Sequence, residues 1–414
     1  MINKKLIILL VFHLPVFFST IGFTQKTTLE QSIKEALTNN PDIVKAGHEI
    51  QSAKSIFWKA VSPRNPHIFA EFEGIPDNKS LSEYGGRKIG FAQDIEFPLA
   101  YYYRGKKQQL TTTMIATDFE ILRSDVIAKV KKCFYKVLML QMQMQLYEDI
   151  HELITELYQK TGVRVDAGEI TVYDQLKTKV DLVEAENRVQ EYTEKYKMAL
   201  YELKLILGRK KSQNIDLEGD FSFSPVLLNV DSLKQVAMSK HPLLKGALLE
   251  VRQKRIEKKQ AWIELLPNFE VRYFNHSLPD SPTPDAWGGE IGLSLPVWSF
   301  LKDRGNIRSA SHQIEASGWK VESKKRKVLL EIEESYSQLS LAKRVVQRYR
   351  DNSLREVEEL VRMATRSYEE GEMSYLEVTE ALRRLNSTKA GYYQALNNYQ
   401  VALAELEKAV GTSL

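Results

Sequence analysis

Carboxylates are the residues of this sequence whose type and spacing could do chemistry. Glu377 and Glu380 are one helical turn apart and share one face of a predicted helix. Six more acids alternate with apolar residues in predicted strands: Glu71, Glu73, Asp94, Glu96, Glu270 and Glu290. Acids held close together repel one another unless they are protonated or bridged by cations. The pattern therefore predicts an affinity for cations, although a solvated helix face or a wet sheet face would carry the same acids.

The sequence predicts no catalytic centre, no bound metal and no cofactor. The histidines are scattered, without an HExxH motif or a Cys/His cluster of zinc spacing. The glycine pairs Gly85-Gly86 and Gly288-Gly289 precede predicted strands rather than helices, which argues against a phosphate loop. A Ser–His–Asp triad is recognised by geometry and not by sequence position. We therefore expect a protein that is not an enzyme.

Composition and targeting exclude several other classes of protein. Of the 414 residues, 43% are hydrophobic and 27% are charged, which is too polar for a helical membrane protein. The net charge is +4 with both signs interspersed, which does not indicate nucleic-acid binding. Residues 1–25 are predicted to be a signal peptide, because Lys4 and Lys5 precede the apolar run Leu6 to Phe18. The single cysteine, Cys133, is expected to be a core residue.

The remaining chain is internally duplicated. Matching marks recur 198 to 203 residues apart, among them Asn40-Pro41 with His241-Pro242 and Gly208 with Gly411. The first repeat covers residues 26–208, a linker covers 209–228, and the second repeat covers 229–414. One register that is kept over so many positions indicates two copies of one structural unit.

Each repeat predicts the same elements in the same order. A helix (Leu29 to Ser62; Val230 to Leu266) precedes two strands, a very long helical run (Ala100 to Val165; Phe300 to Tyr368), a glycine turn and a last helix. The predicted strands cover about 66–74, 87–97, 268–276 and 287–296. Heptad spacing in the last helix follows Tyr392, Leu396, Tyr399, Leu403, Leu406 and Val410. A run of about 65 residues would be roughly 100 Å long, so the helices predict an elongated bundle.

The strands alternate apolar and polar residues with a period of two, as in Ile89, Phe91 and Ile95 against Lys88 and Asp94. Segments of about nine to eleven residues with this alternation are typical of an outer-membrane barrel. A half-buried soluble sheet has the same alternation, so the strands alone leave both open. Four strands are too few to close a barrel, whereas three copies would supply about twelve. The predicted fold class is mostly α, with a membrane β-barrel contribution if the sheet is not a soluble one.

With these features the chain resembles the TolC-type outer membrane efflux family, and within it the CzcC/CusC-like components of cation-efflux systems. The resemblance covers nearly the whole mature chain. It rests on the duplicated helix–strand–strand–helix plan and on several motifs: Asn40-Pro41, His241-Pro242, Gly168 to Asp174, Tyr368 to Glu380, Gln93 to Pro98 and Gly292 to Trp298.

The resemblance implies a homotrimer in the outer membrane lipid, with a twelve-stranded barrel and a helical tunnel in the periplasm. It implies docking through a periplasmic adaptor protein onto an inner-membrane RND pump, and export of heavy-metal cations. A soluble periplasmic coiled-coil scaffold or adaptor is the alternative. The loops Ile75 to Gly86 and Ser277 to Ala286 are expected to face outside the cell.

The resemblance also implies a gate at the periplasmic tip. Glu377 and Glu380 occupy the positions of two acidic ring residues of the family, and Asp174 and Tyr368 match residues that link neighbouring helices. The family has an arginine where this chain has Met373. In the barrel, strand parity places the six strand acids on the lumen face with only Lys88 and Arg272 as bases, which predicts a preference for cations.

Overall fold

The computed structural model describes residues 26–75, 77, 84–278 and 285–414. The predicted signal peptide and most of the two predicted external loops lie outside the described residues. The first half runs through α1 (Leu29–Asn39), α2 (Pro41–Val61), β1 (His67–Glu73), β2 (Gly86–Ile95), α3 (Pro98–Asp166) and α4 (Val172–Leu207). The second half runs through α5 (Val230–Lys240), α6 (Pro242–Ile263), β3 (Asn268–Ser277), β4 (Asp285–Ser294), α7 (Ser299–Arg348), α8 (Leu354–Glu369) and α9 (Tyr375–Val410).

The first helix of each repeat is broken in two, so the prediction of one helix of about 35 residues was wrong. Asn40 ends α1 and caps α2, where its Oδ1 accepts a hydrogen bond from Asp42 N at 2.9 Å. Proline at the next position suits the first turn of a helix but cannot continue one. His241 and Pro242 repeat the arrangement between α5 and α6.

The two long helical runs differ from one another. The first, α3, is a single helix of 69 residues. The second is interrupted by a π-helical turn at Tyr349–Ser353, which separates α7 from α8. Extra residues in a helix are commonly accommodated by such a turn, and it breaks the equivalence of the two repeats.

The four strands form one antiparallel sheet in the order β1-β2-β3-β4. Glu71 lies opposite Lys88, and Arg272 lies opposite Glu290, so charged residues share one face. The other face is apolar and exposed, with Ile68 at 85% and Ile291 at 79% of full exposure. Among the described strands, β1 and β4 have no partner on their outer edges. The sheet is therefore open at both edges and uncovered on its apolar face.

The helices pack around two main cores, one for each repeat. The first includes Phe134 and Leu203, and the second includes Ile332, Leu396 and Tyr399. The predicted heptad residues Leu406 and Val410 are also buried there. Cys133 lies in the first core, and burial raises the pKa of its thiol to about 12, in keeping with a packing role.

Past the two main cores, four helices continue side by side in the order α4–α3–α9–α8. Helix α3 packs against both α4 and α9, and α9 packs against α8. Helices α4 and α8 are therefore the two outer members of this layer. Within the described ranges, no helix is long and apolar enough to cross a membrane.

Candidate gate and polar sheet face

The turn between α8 and α9 places both predicted gate acids on one exposed helix face. At about 100° per residue, Glu377 and Glu380 lie opposite Tyr375, Val378 and Leu382, which are buried. The two acids, here called the gate acids, therefore point away from the core of their own chain.

Each gate acid already has a partner within the chain. The Glu377 carboxylate accepts hydrogen bonds from Ser374 N at 2.7 Å and from Ser374 Oγ at 3.0 Å. These bonds form a capping box at the start of α9 and lower the pKa of Glu377. Glu380 pairs with Arg384, one turn further on, at 3.1 Å. Glu377 thus stabilises the helix start in addition to any role at the tip.

The structure does not join Asp174 to Tyr368 among the contacts of the described residues. Asp174 accepts a hydrogen bond from Thr171 Oγ1 at 2.8 Å, which lowers its pKa. Tyr368 is 4% exposed, and its Oη has no hydrogen-bond partner in the described part of the chain. The Arg164 guanidinium lies over the Tyr368 ring, 5.3 Å from its centroid. Asp174 and Tyr368 are thus not in direct contact with each other, and their role in linking neighbouring helices stays a prediction.

A different contact joins α4 to α9 near the tip. Tyr375 Oη donates to Asp181 Oδ2 at 2.8 Å, and Arg383 Nη2 donates to Asp181 Oδ1 at 3.1 Å. We call this contact the Asp181 bridge. The sequence carries no signal for it, because Asp181 and Arg383 are 202 residues apart and lie outside the motifs of the turns.

The acids of the polar sheet face are all paired with bases. Lys88 contacts Glu71 and Glu73. Arg272 Nε lies 3.0 Å from Glu270, and Arg272 Nη1 lies 3.8 Å from Glu290. Local charge on this face is thus partly neutralised within each chain.

Two further bases outside the strands reach the remaining acids, Asp94 and Glu96: Arg64 lies between α2 and β1, and Arg104 lies on α3. Arg64 contacts Asp94 at 3.8 Å and Glu96 at 3.2 Å. Arg104 contacts Glu96 at 2.5 Å. Glu96 itself follows the last residue of β2, Ile95, so it lies at the junction with the helices rather than on a strand. The six acids therefore face four bases rather than the two counted from the strand sequences.

Phe69 and Phe274 break the alternation because they lie on the polar face, above glycines of neighbouring strands. Their rings are 6.3 Å apart in an edge-to-face contact. A Cβ at Gly90 would lie 2.2 Å from Tyr273 O, and one at Gly288 would lie 2.8 Å from the Phe274 ring. Glycine permits such a close approach. The glycines opposite the two phenylalanines thus leave room for their rings on the polar face.

The geometry does not point to a bound metal within the described ranges. No group of three or more His, Cys, Asp or Glu side chains there is arranged to hold a metal ion. The arrangement can instead present charge along two surfaces: the gate acids on α9 and the paired charges on the sheet.

A family model described as outer membrane efflux protein matches residues 32–209 and 233–412. The chain is 22% identical to the cobalt-zinc-cadmium resistance protein CzcC of Cupriavidus metallidurans, over 93% of this chain and 90% of that protein.

Solved structures share the fold. The CusC structure aligns with a TM-score of 0.76 at 16% identity, covering 93% of this chain and 92% of that one. The outer membrane channel CmeC of Campylobacter jejuni aligns with a TM-score of 0.77 at 16% identity, covering 92% of this chain and 85% of that one. The predicted fold class, helices with four strands per chain, is confirmed.

Proposed function

The chain belongs to the outer membrane efflux protein family, and on that premise we propose that it is the outer membrane duct of a tripartite pump that exports heavy-metal cations. Its location is the outer membrane, with the helices on the periplasmic side. The observation that carries the cation proposal is the exposure of both gate acids on the α9 face opposite the core. The alternative, a soluble scaffold, is not favoured by the family.

The proposed assembly is a homotrimer in which the sheets close into one barrel. The open edges at β1 and β4 support it, because an unpaired edge inside lipid leaves backbone groups without hydrogen bonds. The exposed apolar face of the sheet suits lipid, and the charged face suits a lumen. Three sheets would supply about twelve strands.

The outer helices of the layer support the same assembly. Near the tip, α4 exposes a stripe of Val172, Leu176, Val180 and Val183 on the face opposite Asp181. Helix α8 exposes Leu360 and Met363. Because α4 and α8 are at opposite ends of the layer, a ring of copies brings the α4 stripe of one chain against α8 of the next. Such head-to-tail contacts close into rings.

The proposed cargo is a divalent metal cation. The similarity to a protein named for cobalt, zinc and cadmium resistance supports this, and so does the excess of six acids over four bases at the sheet and its junction with the helices. The proposed partners are a periplasmic adaptor and an inner-membrane RND pump, as in related tripartite systems. The proposed gate residues are Glu377, Glu380, Asp174 and Tyr368, which lie near the turns that join α3 to α4 and α8 to α9.

Metal tolerance tests the proposed cargo. Cells that lack this chain should become sensitive to zinc, cobalt or cadmium, and the wild-type gene should restore tolerance. Sensitivity to organic toxic compounds is the matched comparison. If loss of the chain changed only tolerance of organic compounds, the metal assignment would be wrong, although the duct assignment would stand. Extraction of the protein from membranes by urea would instead favour the soluble scaffold.

A further inference from the structure

Helix α6, which the structure describes throughout, separates its acids from an exposed row of bases. Glu250 contacts Lys320 of α7 at 2.7 Å. Glu257 contacts Lys107 of α3 at 2.9 Å. These are the two acids of the helix, and both face neighbouring helices. The exposed side carries four bases instead: Lys245, Arg252, Arg255 and Lys259. We call these four residues the basic row.

The basic row is a continuous stripe without acidic partners. Its members are seven, three and four residues apart, which places them within about 80° of arc at 100° per residue. The stripe is about 21 Å long at 1.5 Å per residue. None of its members forms an ion pair with a described residue. Only Lys259 has an aromatic partner there, the Tyr103 ring, whose centroid is 5.6 Å from the ammonium group. The row is therefore free to bind an anionic ligand.

The first repeat shows that the fold does not require these bases. Pro41 begins α2 as Pro242 begins α6. In the same register, the positions of the basic row are also exposed in α2, where they hold Val44, Gln51, Lys54 and Trp58. Solvation of this face thus needs one base at most, and four bases are a property of α6 alone.

The helix layer is concave on the side that leads to the sheet acids. Neighbouring residues of α3 contact different helices, since Lys107 reaches α6 and Gln108 reaches α2. The two helices therefore lie only about 100° apart around α3. Arg104 lies between these directions and contacts Glu96 at the junction with the charged sheet face. The concave side of the layer thus continues into the charged side of the sheet, the proposed lumen.

The basic row lies on the other, convex side. Glu250 contacts α7, whereas Gln253 and Glu257 contact α3. These three residues lie within about 60° of arc on α6, so both neighbours approach from the concave side. The basic row is centred about 150° away from them. It therefore faces outward from the proposed tunnel.

A basic cavity extends the row at the end away from the sheet. It has a volume of about 510 Å³ and lies between α3, the α5–α6 break and the end of α9. Lys245 and Lys240 both line it, and Lys240 also has no ion pair with a described residue. Five bases line the cavity against two acids. Thr113 in its wall is about 180° around α3 from Arg104, so the cavity opens on the convex side as well.

From this arrangement we propose that the basic row and its cavity bind a polymer that carries carboxylates along its length, the peptide-bearing glycan of the cell wall. The inference rests on the placement of the helices in the periplasm, where that polymer lies. Bases aligned along a surface attract an extended polyanion through many weak contacts, without a shaped pocket for each charge.

The shape of the row favours this polymer over a lipid surface or a folded protein. The headgroup region of a bilayer is about 5–8 Å deep on each side, so lipid would reach only the end of the row nearest the sheet. Protein interfaces have an apolar core. Within residues 245–259, all of them described, Leu248 is the only large hydrophobic residue that is exposed.

Sedimentation of purified trimers with cell-wall sacculi, freed of protein by detergent and protease, tests the proposal. The row variant combines Lys245→Gln, Arg252→Gln, Arg255→Gln and Lys259→Gln. The matched control removes the same charge from α4 by Lys177→Gln, Arg188→Gln, Lys195→Gln and Lys197→Gln. Each control base pairs with an acid of its own helix. The double variant Arg252→Lys with Arg255→Lys keeps the charge of the row.

We expect the row variant to bind sacculi about tenfold more weakly than wild type, because four exposed charge contacts are lost. The α4 control and the double lysine variant should bind as wild type. Binding of the wild type should weaken with added salt and disappear when the carboxylates of the sacculi are converted to amides. The amidated sacculi test the ligand without any change to the protein.

Equal binding by the row variant and wild type would overturn the proposal, and so would an equal loss in the α4 control. Binding to anionic phospholipid vesicles but not to sacculi would assign the row to lipid instead. Binding only to sacculi that keep their proteins would assign it to an acidic protein. Conductance in planar bilayers separates this proposal from the duct: the row variant should conduct as wild type, and trimers that bind sacculi through the row but never conduct would refute the duct alone.

Discussion

Asn40 and Ile206 are joined by a 2.9 Å hydrogen bond from the Asn40 amide Nδ2 to the Ile206 carbonyl oxygen. The same side chain caps α2 through its Oδ1. In the second repeat, His241 caps α6 through Nδ1 and interacts with the backbone of Ala409. In each repeat, the residue at the break between the first two helices therefore binds the backbone at the end of the last helix of that repeat.

Gly208 ends α4 against this break, and its replacement should destabilise the first repeat. Its φ is +76°, and an added Cβ would lie 2.4 Å from Asn39 O. Gly168→Ala is the matched control, because its φ is +74° but nothing lies within 4 Å of the added Cβ. We expect a loss of about 1 kcal/mol for Gly168→Ala and about 3 kcal/mol for Gly208→Ala.

Thermal melting of the purified variants checks this expectation. The fall in melting temperature should be clearly larger for Gly208→Ala than for Gly168→Ala. Equal melting temperatures would mean that the contact with Asn39 relaxes without cost.

His241 should make the protein sensitive to acid. Burial lowers the pKa of His241, with Glu331 opposing the shift. The His241 ring takes up a proton more readily in the unfolded protein than in the folded one. The neutral ring therefore contributes fully to folding stability above about pH 6.5, and this contribution is lost as the pH falls from there through the pKa of His241 in the folded protein. The variant His241→Asn has the residue found at the equivalent position of the first repeat, Asn40, and lacks the titrating imidazole.

Melting temperatures between pH 5 and pH 8 separate the two proteins. On acidification, the melting temperature should fall further for the wild type than for His241→Asn. Added salt at pH 8 should change the melting temperatures of the two proteins equally. A parallel pH dependence would show that His241 does not titrate in this range.

The gate acids should make the duct sensitive to divalent cations. Three copies bring six carboxylates together at the tip, and like charges so close favour a bridging cation. Divalent cations added on the periplasmic side should reduce conductance, and Glu377→Gln with Glu380→Gln should remove the block. Glutamine keeps an acceptor for the Ser374 N–H, so it tests charge with less loss of the helix cap than alanine.

Glu322→Gln provides the control for this block. Glu322 is a partly exposed acid paired with Arg326 one turn away, as Glu380 is with Arg384. The control should leave the block unchanged. A block that survives in the double gate variant would place the cation site elsewhere.

Charge on the sheet face should set ion selectivity. Arg272 contacts Glu270 and Glu290, so Arg272→Gln should free both acids and increase the preference for cations, whereas Glu290→Gln should decrease it. Reversal potential across a salt gradient, measured with the tip opened by the gate substitutions, reports the change. Shifts of the same sign in both variants would reject the sheet face as the selectivity surface.

Much of the fold follows from residue spacing, whereas the contacts at the tip do not. Period-two alternation located all four strands, and the heptad spacing identified the buried seam of α9, because both patterns are local. Asn40-Pro41 marks the repeat in the sequence, and its proline is also the local signal for the helix break. Asp181 could not be paired with Tyr375 and Arg383, since only the three-dimensional arrangement of α4 and α9 on either side of α3 brings these side chains together. Arg64 and Arg104 were missed because they reach the strand acids from outside the strands.

The conductance of purified trimers in a planar bilayer tests most directly whether this chain forms a gated outer membrane duct. We expect conductance steps of a single unit size, rare in wild type and frequent in Glu377→Gln with Glu380→Gln. Trimers that insert into the bilayer but conduct in neither form would contradict it.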